Sequence, residues 1–289
     1  MLYKRYFDVH EFNDAVYDLL MEDEALNLIP LGNLIIGVKG EDKFGWRDPA
    51  NWLMATVSDN DGVQLVAIMT PPQNIALYAK DNKIDEVAID CLINHLSDTP
   101  LPGVFAQRNL ALAFAKAYCA KHNVQHKIGM ENRCFELTEV NPEIKQFGTL
   151  RLARESDMHF FPYWVEGLVS GADVYGKTTM NIPQDYATYQ YRIDSRKVYI
   201  LEVDGQPVSM AAAHREMITV CGIGLVYTPP YFGRRGYATS CVAQLSQSVL
   251  DRDFKKCVLF TDLANPTSNN IYQKIGYRPI GDSSMIKFI

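Results

Sequence analysis

Two short stretches near the carboxyl end combine residue types and spacings that could do chemistry. The first is Val226-Tyr227-Thr228-Pro229-Pro230-Tyr231-Phe232-Gly233-Arg234-Arg235-Gly236-Tyr237-Ala238. Its glycines at 233 and 236 allow a tight turn with consecutive N–H groups. The apolar spacing of Ala238, Cys241, Val242, Leu245 and Val249 predicts a helix that starts just beyond. A strand, a glycine turn and a helix N-terminus together make a binding place for an anion such as a pyrophosphate. The helix dipole supplies only about 0.3–1 kcal/mol, up to ~2 when partly buried. Micromolar binding needs about 8 kcal/mol, so several N–H bonds, Arg234, Arg235 and an apolar part of the ligand must supply the rest.

The second stretch is Asn265-Pro266-Thr267-Ser268-Asn269-Asn270-Ile271-Tyr272-Gln273-Lys274-Ile275-Gly276-Tyr277. It reads as one short helix with its punctuation: Asn265 caps, Pro266 opens, Lys274 complements the far end and Gly276 terminates. A strand ends just before it, which puts Ser268, Asn269 and Tyr272 at the carboxyl edge of a sheet, the usual ligand edge. Two nucleotide-binding patterns fit less well. There is no Gly-Lys-Ser/Thr ending, and the glycines come too late in the chain to open a dinucleotide fold.

The elements that must position these groups alternate along the chain. In the first half, apolar spacing predicts a helix over Val9 to Leu20, a hairpin from Trp52–Val57 to Val63–Met69 turned at Asn60-Asp61-Gly62, and a strand at Ile75–Tyr78. A loop around Gly45-Trp46-Arg47-Asp48-Pro49 precedes the hairpin. A helix at Ile84–Leu96, a strand at Val104–Ala106, a helix at Leu110–Lys121 and a strand at Cys134–Leu137 follow. The second half repeats the order: strand Thr149–Ala153, helices Glu155–Leu168 and Gln184–Arg192, and a hairpin Val198–Val203 to Val208–His214 turned at Asp204-Gly205. Then come strand Ile218–Tyr227, helix Tyr237–Leu250, strand Cys257–Thr261, helix Pro266–Ile275 and a last strand near Met285–Phe288. Hairpins that feed strand–helix–strand units imply an α/β (α+β) fold with mixed sheets flanked by helices. The length of 289 residues favours two domains, divided here as 1–145 and 146–289 at the Asn141-Pro142 break.

Composition narrows the function. Apolar residues are 47% and charged residues 21%, an ordinary globular balance. No apolar run approaches the ~20 residues of a membrane span, and Met1 to His10 lacks a hydrophobic signal core, so a cytoplasmic protein with no membrane partner is expected. The net charge is −6, but residues 229–289 hold eight Lys/Arg against four Asp, a net +4 that leaves −10 elsewhere. A basic segment in an acidic chain suits a polyanionic small molecule, whereas the acidic remainder would repel a nucleic-acid backbone. The six cysteines (Cys91, Cys119, Cys134, Cys221, Cys241, Cys257) are scattered, with no visible neighbouring base at Cys221 or Cys241 for covalent catalysis. Cys119, His122 and His126 lack the fourth ligand of a closed zinc site, and no metal is expected.

Together the two stretches resemble the GNAT superfamily of N-acetyltransferases. Gly233-Arg234-Arg235-Gly236-Tyr237-Ala238 follows that family's Arg/Gln-x-x-Gly-x-Gly/Ala loop, with Gly233 in place of the first Arg or Gln. Asn265, Ser268, Ile271, Tyr272, Gly276 and Tyr277 follow its later helix pattern. The resemblance covers about residues 148–289, and the first half looks like a degenerate copy, with Pro71-Pro72-Gln73-Asn74 in place of a glycine cradle. It implies acetyl-CoA as co-substrate and direct attack by an amine, either a small molecule or a peptide. It places Leu225, Val226 and Tyr227 along the pantetheine arm, Gly233 to Ala238 on the pyrophosphate, Asn265, Ser268 and Asn269 beside the cofactor, and Tyr272 as the acid that protonates the departing thiolate. Glu202, His214 and Glu216 are candidates for the base. Gly222 and Gly224 predict a bulge or a close backbone approach in the same strand. Tyr163, Trp164, Tyr175 and Tyr199 are either an acceptor wall or core aromatics. A catalytically silent acetyl-CoA sensor is the competing function, and a monomer or a homodimer accommodates either one.

Overall fold

A computed structural model describes residues 1–40, 48–96, 99–172 and 182–289. Gly45, Trp46, Arg47 and Tyr175 lie outside the described residues. The chain forms two compact units: 1–134 with 262–264 and 280–289, and 135–261 with 265–279. The units therefore do not follow the consecutive division at 145, because the last ten residues count with the first unit. Ser283 to Lys287 pair antiparallel with Gln107 to Gly103, and Ile286 is fully buried in that unit's core.

The first unit contains β1 (Leu2–Tyr6), α1 (Val9–Met21), α2 (Leu28–Lys39), β2 (Leu53–Asp59), β3 (Gly62–Met69), β4 (Ile75–Ala79), α3 (Glu86–His95), β5 (Gly103–Gln107) and α4 (Arg108–His122). Most of β6 (His126–Leu137) follows. Asp8 caps α1 by accepting from the N–H groups of His10 and Glu11, and Val9, Phe12, Val16 and Leu20 form its buried face. β1 and α2 escape sequence reading. The α2 segment is apolar on every side and holds Pro30, Gly32 and Gly37, so it shows no helical stripe. Its Gly37 is needed for contact, since a Cβ there would sit 2.6 Å from the Trp52 ring.

The second unit contains β7 (Thr149–Leu152), α5 (Phe161–Ala172), α6 (Ile182–Asp194), β8 (Val198–Val203), β9 (Gln206–Glu216), β10 (Val220–Tyr227), α7 (Tyr237–Leu250), β11 (Lys256–Asp262) and α8 (Pro266–Ile275), then the start of β12 (Arg278–Phe288). From β11 to β7 the strand order is β11-β10-β9-β8-β7. Asp204 and Gly205 both take positive φ, as a two-residue hairpin turn requires. The single helix expected over 155–168 is instead a 3-10 turn at Glu155–His159 followed by α5. The Asp157 carboxylate breaks it by bonding back to the Arg154 N–H and to Arg151.

One face of this sheet packs α7 and α8: Leu201, Ala211, Ala213, Cys221 and Ile223 meet Cys241, Val242, Leu245, Val249, Tyr272 and Ile275. The other face packs α5 and α6: Ile200, Met210 and Ala212 meet Phe161, Val165, Tyr189 and Ile193. No described helix is long and apolar enough to cross a membrane.

Truncating Ile286 to Ala should destabilise the first unit by about 2–5 kcal/mol. Urea unfolding of the full chain would show this as a transition moved to lower denaturant. An unchanged midpoint would mean that the last strand does not complete that core.

Candidate functional site

The site is built where β10 and β11 end. These strands run parallel, but their shared register covers only Val220↔Lys256 to Gly222↔Val258. β10 continues to Tyr227 and β11 to Asp262. Beyond Gly222, the edge of β10 toward β11 therefore carries backbone donors and acceptors outside that ladder. Buried backbone groups need partners, and an extended amide-bearing ligand arm can supply them.

On its other edge β10 pairs with β9 in register Gly222↔His214, Ile223↔Ala213 and Gly224↔Ala212, then resumes at Tyr227↔Met210. Three steps on β10 against two on β9 leave one extra residue. Leu225, at φ +50, is the non-glycine left-handed residue within that step. This bulge reverses the alternation of faces. Cys221 and Ile223 belong to the α7 face, whereas Leu225 and Tyr227 pack with the α5 cluster and Val226 turns to the α7 side. The buried Ser209 hydroxyl fixes the end of the bulge, donating to the Tyr227 carbonyl (3.1 Å) and meeting Thr228 Oγ1 (2.8 Å).

The turn after β10 differs from its sequence reading in one respect. Gly233 has φ −62 and ψ 155, open to any residue, while the left-handed positions are Arg234 (φ +61) and Gly236 (φ +82). Gly236 is the N-cap of α7, and no side chain caps that helix. Its first N–H groups, which have no partner within the helix, carry the positive end of the dipole. Arg234 and Arg235 are exposed, and the Arg235 guanidinium lies 5.7 Å from the Tyr231 ring centre. The corresponding turn of the first unit is chemically opposite. Between β4 and α3 it carries Lys80 to Asp85, and the Asp85 carboxylate accepts from the N–H groups of Val87 (2.9 Å) and Ala88 (3.1 Å). An anion of the chain's own already fills that helix start.

Phe147 was not legible as part of the site. Its N–H donates to Ser240 Oγ (2.7 Å), its carbonyl accepts from Ser240 and Gln244, and its ring would lie 3.2 Å from a Cβ at Gly236. These bonds join residues more than ninety positions apart, and no local spacing announces them.

In α8, Asn265 Oδ1 accepts from the Ser268 N–H (3.0 Å), and Asn269 Nδ2 donates to the Asn265 carbonyl (2.8 Å). Both asparagines thus hold the helix start. Gly276 closes the helix at φ +118, and Asn141 adds bonds to the Lys274 and Ile275 carbonyls. Tyr272 is 7% exposed, with its ring between Phe135 and Tyr277, and burial followed by the nearby Cys241 pushes its hydroxyl up to about 12. It holds its proton throughout the neutral range.

The three candidate bases separate. Glu202 on β8 pairs with Arg151 at 2.7 Å, and Arg151 also binds Asp157 at 2.7 Å. Burial alone would raise the Asp157 carboxyl, but Arg151 and the Arg154 N–H outweigh it and hold it below the usual range. Glu216 lies opposite Cys221, at the closed end of β10, and binds Arg252 at 2.9 Å. His214 alone of the three lies against the opening end, opposite Gly222. Trp164 packs with Phe160 and Tyr227, Tyr199 joins the α7 core and Tyr163 is 75% exposed. Among the described residues, no group of three or more His, Cys, Asp or Glu gathers as a metal site.

Residues 203–286 match a family model described as FR47-like protein. A search of curated proteins finds no match. Among solved structures, an acetyltransferase of the GNAT family from Colwellia psychrerythraea is 10% identical, with a TM-score of 0.60, covering 100% of this chain and 99% of its own. A Drosophila protein is 13% identical (TM-score 0.69, 99% and 98% covered), and a GCN5-related N-acetyltransferase from Sphaerobacter thermophilus is 12% identical (0.63, 99% and 95%). At such identities the likeness is one of fold, and it runs the length of the chain. The fold is that of the GNAT acetyltransferases.

Burial pushes the thiols of Cys221, Cys241 and Cys257 up to about 12, whereas Cys91 and Cys119 are only partly buried. In native protein near pH 8, a thiol-exchange reagent should modify Cys91 and Cys119 first and the four buried thiols, Cys134, Cys221, Cys241 and Cys257, only as the chain unfolds. Rapid modification of Cys221 or Cys241 would reopen covalent catalysis.

Proposed function

We propose that the second unit binds acetyl-CoA and transfers its acetyl group to an amine, and that the first unit carries no second cofactor. The observation that carries this reading is the pairing of a helix start at Gly236 that no side chain caps with a strand whose register with β11 ends at Gly222. The residues present suit the group: consecutive N–H donors and two arginines for a diphosphate, and free strand edge for an amide-bearing arm. Asp85 argues against an equivalent site in the first unit, because two anions at one helix start repel.

In this reading Leu225, Val226 and Tyr227 offer backbone groups to the pantetheine arm and to the charge developing on the thioester oxygen. Gly233, Arg234, Arg235, Gly236, Tyr237 and Ala238 hold the diphosphate. Asn265, Ser268 and Asn269 set the start of α8, which fixes Tyr272. The amine nitrogen bonds to the acetyl carbon as the carbon–sulfur bond breaks. Tyr272 gives its proton to the leaving sulfur, its raised pKa keeps that proton available, and the second proton, shed by the nitrogen as the amide forms, restores the phenol. An alkyl ammonium must first lose a proton, and His214 is the base best placed to take it. Glu202 is engaged by Arg151 two strands away from β10, roughly 10 Å at ordinary strand spacing.

Calorimetry should give micromolar binding of acetyl-CoA to the full chain, weakened at least tenfold in Arg234→Glu/Arg235→Glu. Against a panel of small amines and peptides, Tyr272→Phe should lose about 10²–10⁴ in turnover while keeping that affinity. Binding without turnover of any amine by the wild type would instead make the protein a sensor.

A further inference from the structure

β10 gives up side chains at two alternate positions on one face, Gly222 and Gly224, in the interior of a sheet where glycine weakens a strand. Neither residue has a positive φ, so conformation does not demand them. Contact does. A Cβ at Gly224 would overlap His214 Nε2 and lie 3.0 Å from its Cδ2. A Cβ at Gly222 would lie 3.1 Å from His214 Cε1 and 3.2 Å from Nδ1. The imidazole thus lies along the strand over both bare positions, one nitrogen toward each glycine. The seat begins at Gly222, the last β10 residue in register with β11, and ends at the bulge. His214 shares its face of β9 with Met210 and Ala212, the face that packs α5 and α6, while Cys221 and Ile223 face α7.

We infer that Gly222 and Gly224 are positioning residues: they seat the His214 ring flat on β10 beside the opening strand end, so that the acceptor amine meets its base from the α5 face. The inference rests on the acetyl-transfer reading above and adds to it the direction of acceptor approach and the reason for two glycines. The imidazole takes one proton from the ammonium form of the acceptor, whose freed lone pair then forms the bond to the acetyl carbon. The ring later releases that proton to water.

Gly224→Ala is the clean variant, because the three nearest atoms its Cβ would meet all belong to the His214 side chain and none to the backbone. At Gly222 the His214 carbonyl oxygen is also met, at 2.8 Å, so that change strains the backbone. The test is a double-mutant cycle in the full chain, with His214→Ala and Gly224→Ala alone and together. Turnover, the acceptor KM, acetyl-CoA affinity by calorimetry and the histidine ring resonances are read in each. The His214 resonances are identified by their loss in His214→Ala. Gly224→Ala should move those resonances and lower kcat at least tenfold, leaving acetyl-CoA affinity within twofold. In the His214→Ala background it should change kcat by less than twofold, because the ring it displaces is gone. Unmoved His214 resonances, or an equal loss of kcat in both backgrounds, would overturn the seat while leaving acetyl transfer standing. Absence of turnover in the wild type would overturn the transfer reading and this inference together.

Discussion

Two parallel strands that share a hydrogen-bond ladder at one end and part at the other set the chemistry of the second unit. A parallel sheet ordinarily satisfies its interior backbone along its whole length, whereas the register of β10 with β11 ends at Gly222 and one extra residue follows against β9 between Gly224 and Tyr227. Leu225 enters the left-handed region, which L-residues other than Asn and Asp rarely occupy. The strand then turns its next side chains toward α5. Ser209 and Thr228 hold the far side of the distortion, so the bulge is braced by specific bonds. Everything proposed for the site uses this geometry: the edge offered to an extended ligand, the approach to the α7 start and the glycine seat under His214.

The two units make a controlled comparison within one chain. Each runs strand, two helices, hairpin, strand, helix, strand, helix, and each places a helix after its central strand. In one, Asp85 neutralises the helix start with its own carboxylate; in the other, Gly236 leaves it without a side-chain cap. An aspartate cap typically stabilises a helix by about 1 kcal/mol. The second unit forgoes that stabilisation where an external anion can take the same N–H groups. The placement of arginine follows the same logic, since Arg234 holds a left-handed conformation while the neighbouring Gly233 is extended.

Much of this was readable from residue order. α7 and α8 begin and end where apolar spacing, Pro266 and Gly276 place them, because helix stripes and caps are local signals. The hairpin at Asp204-Gly205 and the second-unit strands were legible for the same reason. Pairing between distant segments was not. The return of residues 280–289 to the first unit, the grip of Ser240 on Phe147 and the capture of Glu202 by Arg151 all join residues fifty or more positions apart. The equivalent loop in the first unit lies further along the chain than its prolines suggest. Pro71 to Asn74 joins two antiparallel strands, and the true counterpart of the anion turn is Lys80 to Asp85. Gly222 and Gly224 announced a close approach without naming its partner, since a glycine records only that something fills the space.

Amide hydrogen exchange on the full chain, with and without acetyl-CoA, tests this account most directly, because it reads the backbone groups themselves. Slowed exchange confined to the end of β10 and the first turn of α7, with the start of α3 unaffected, is the predicted result. Unchanged exchange at the Gly236–Ser240 amides under saturating ligand, or protection at α3 instead, would contradict it.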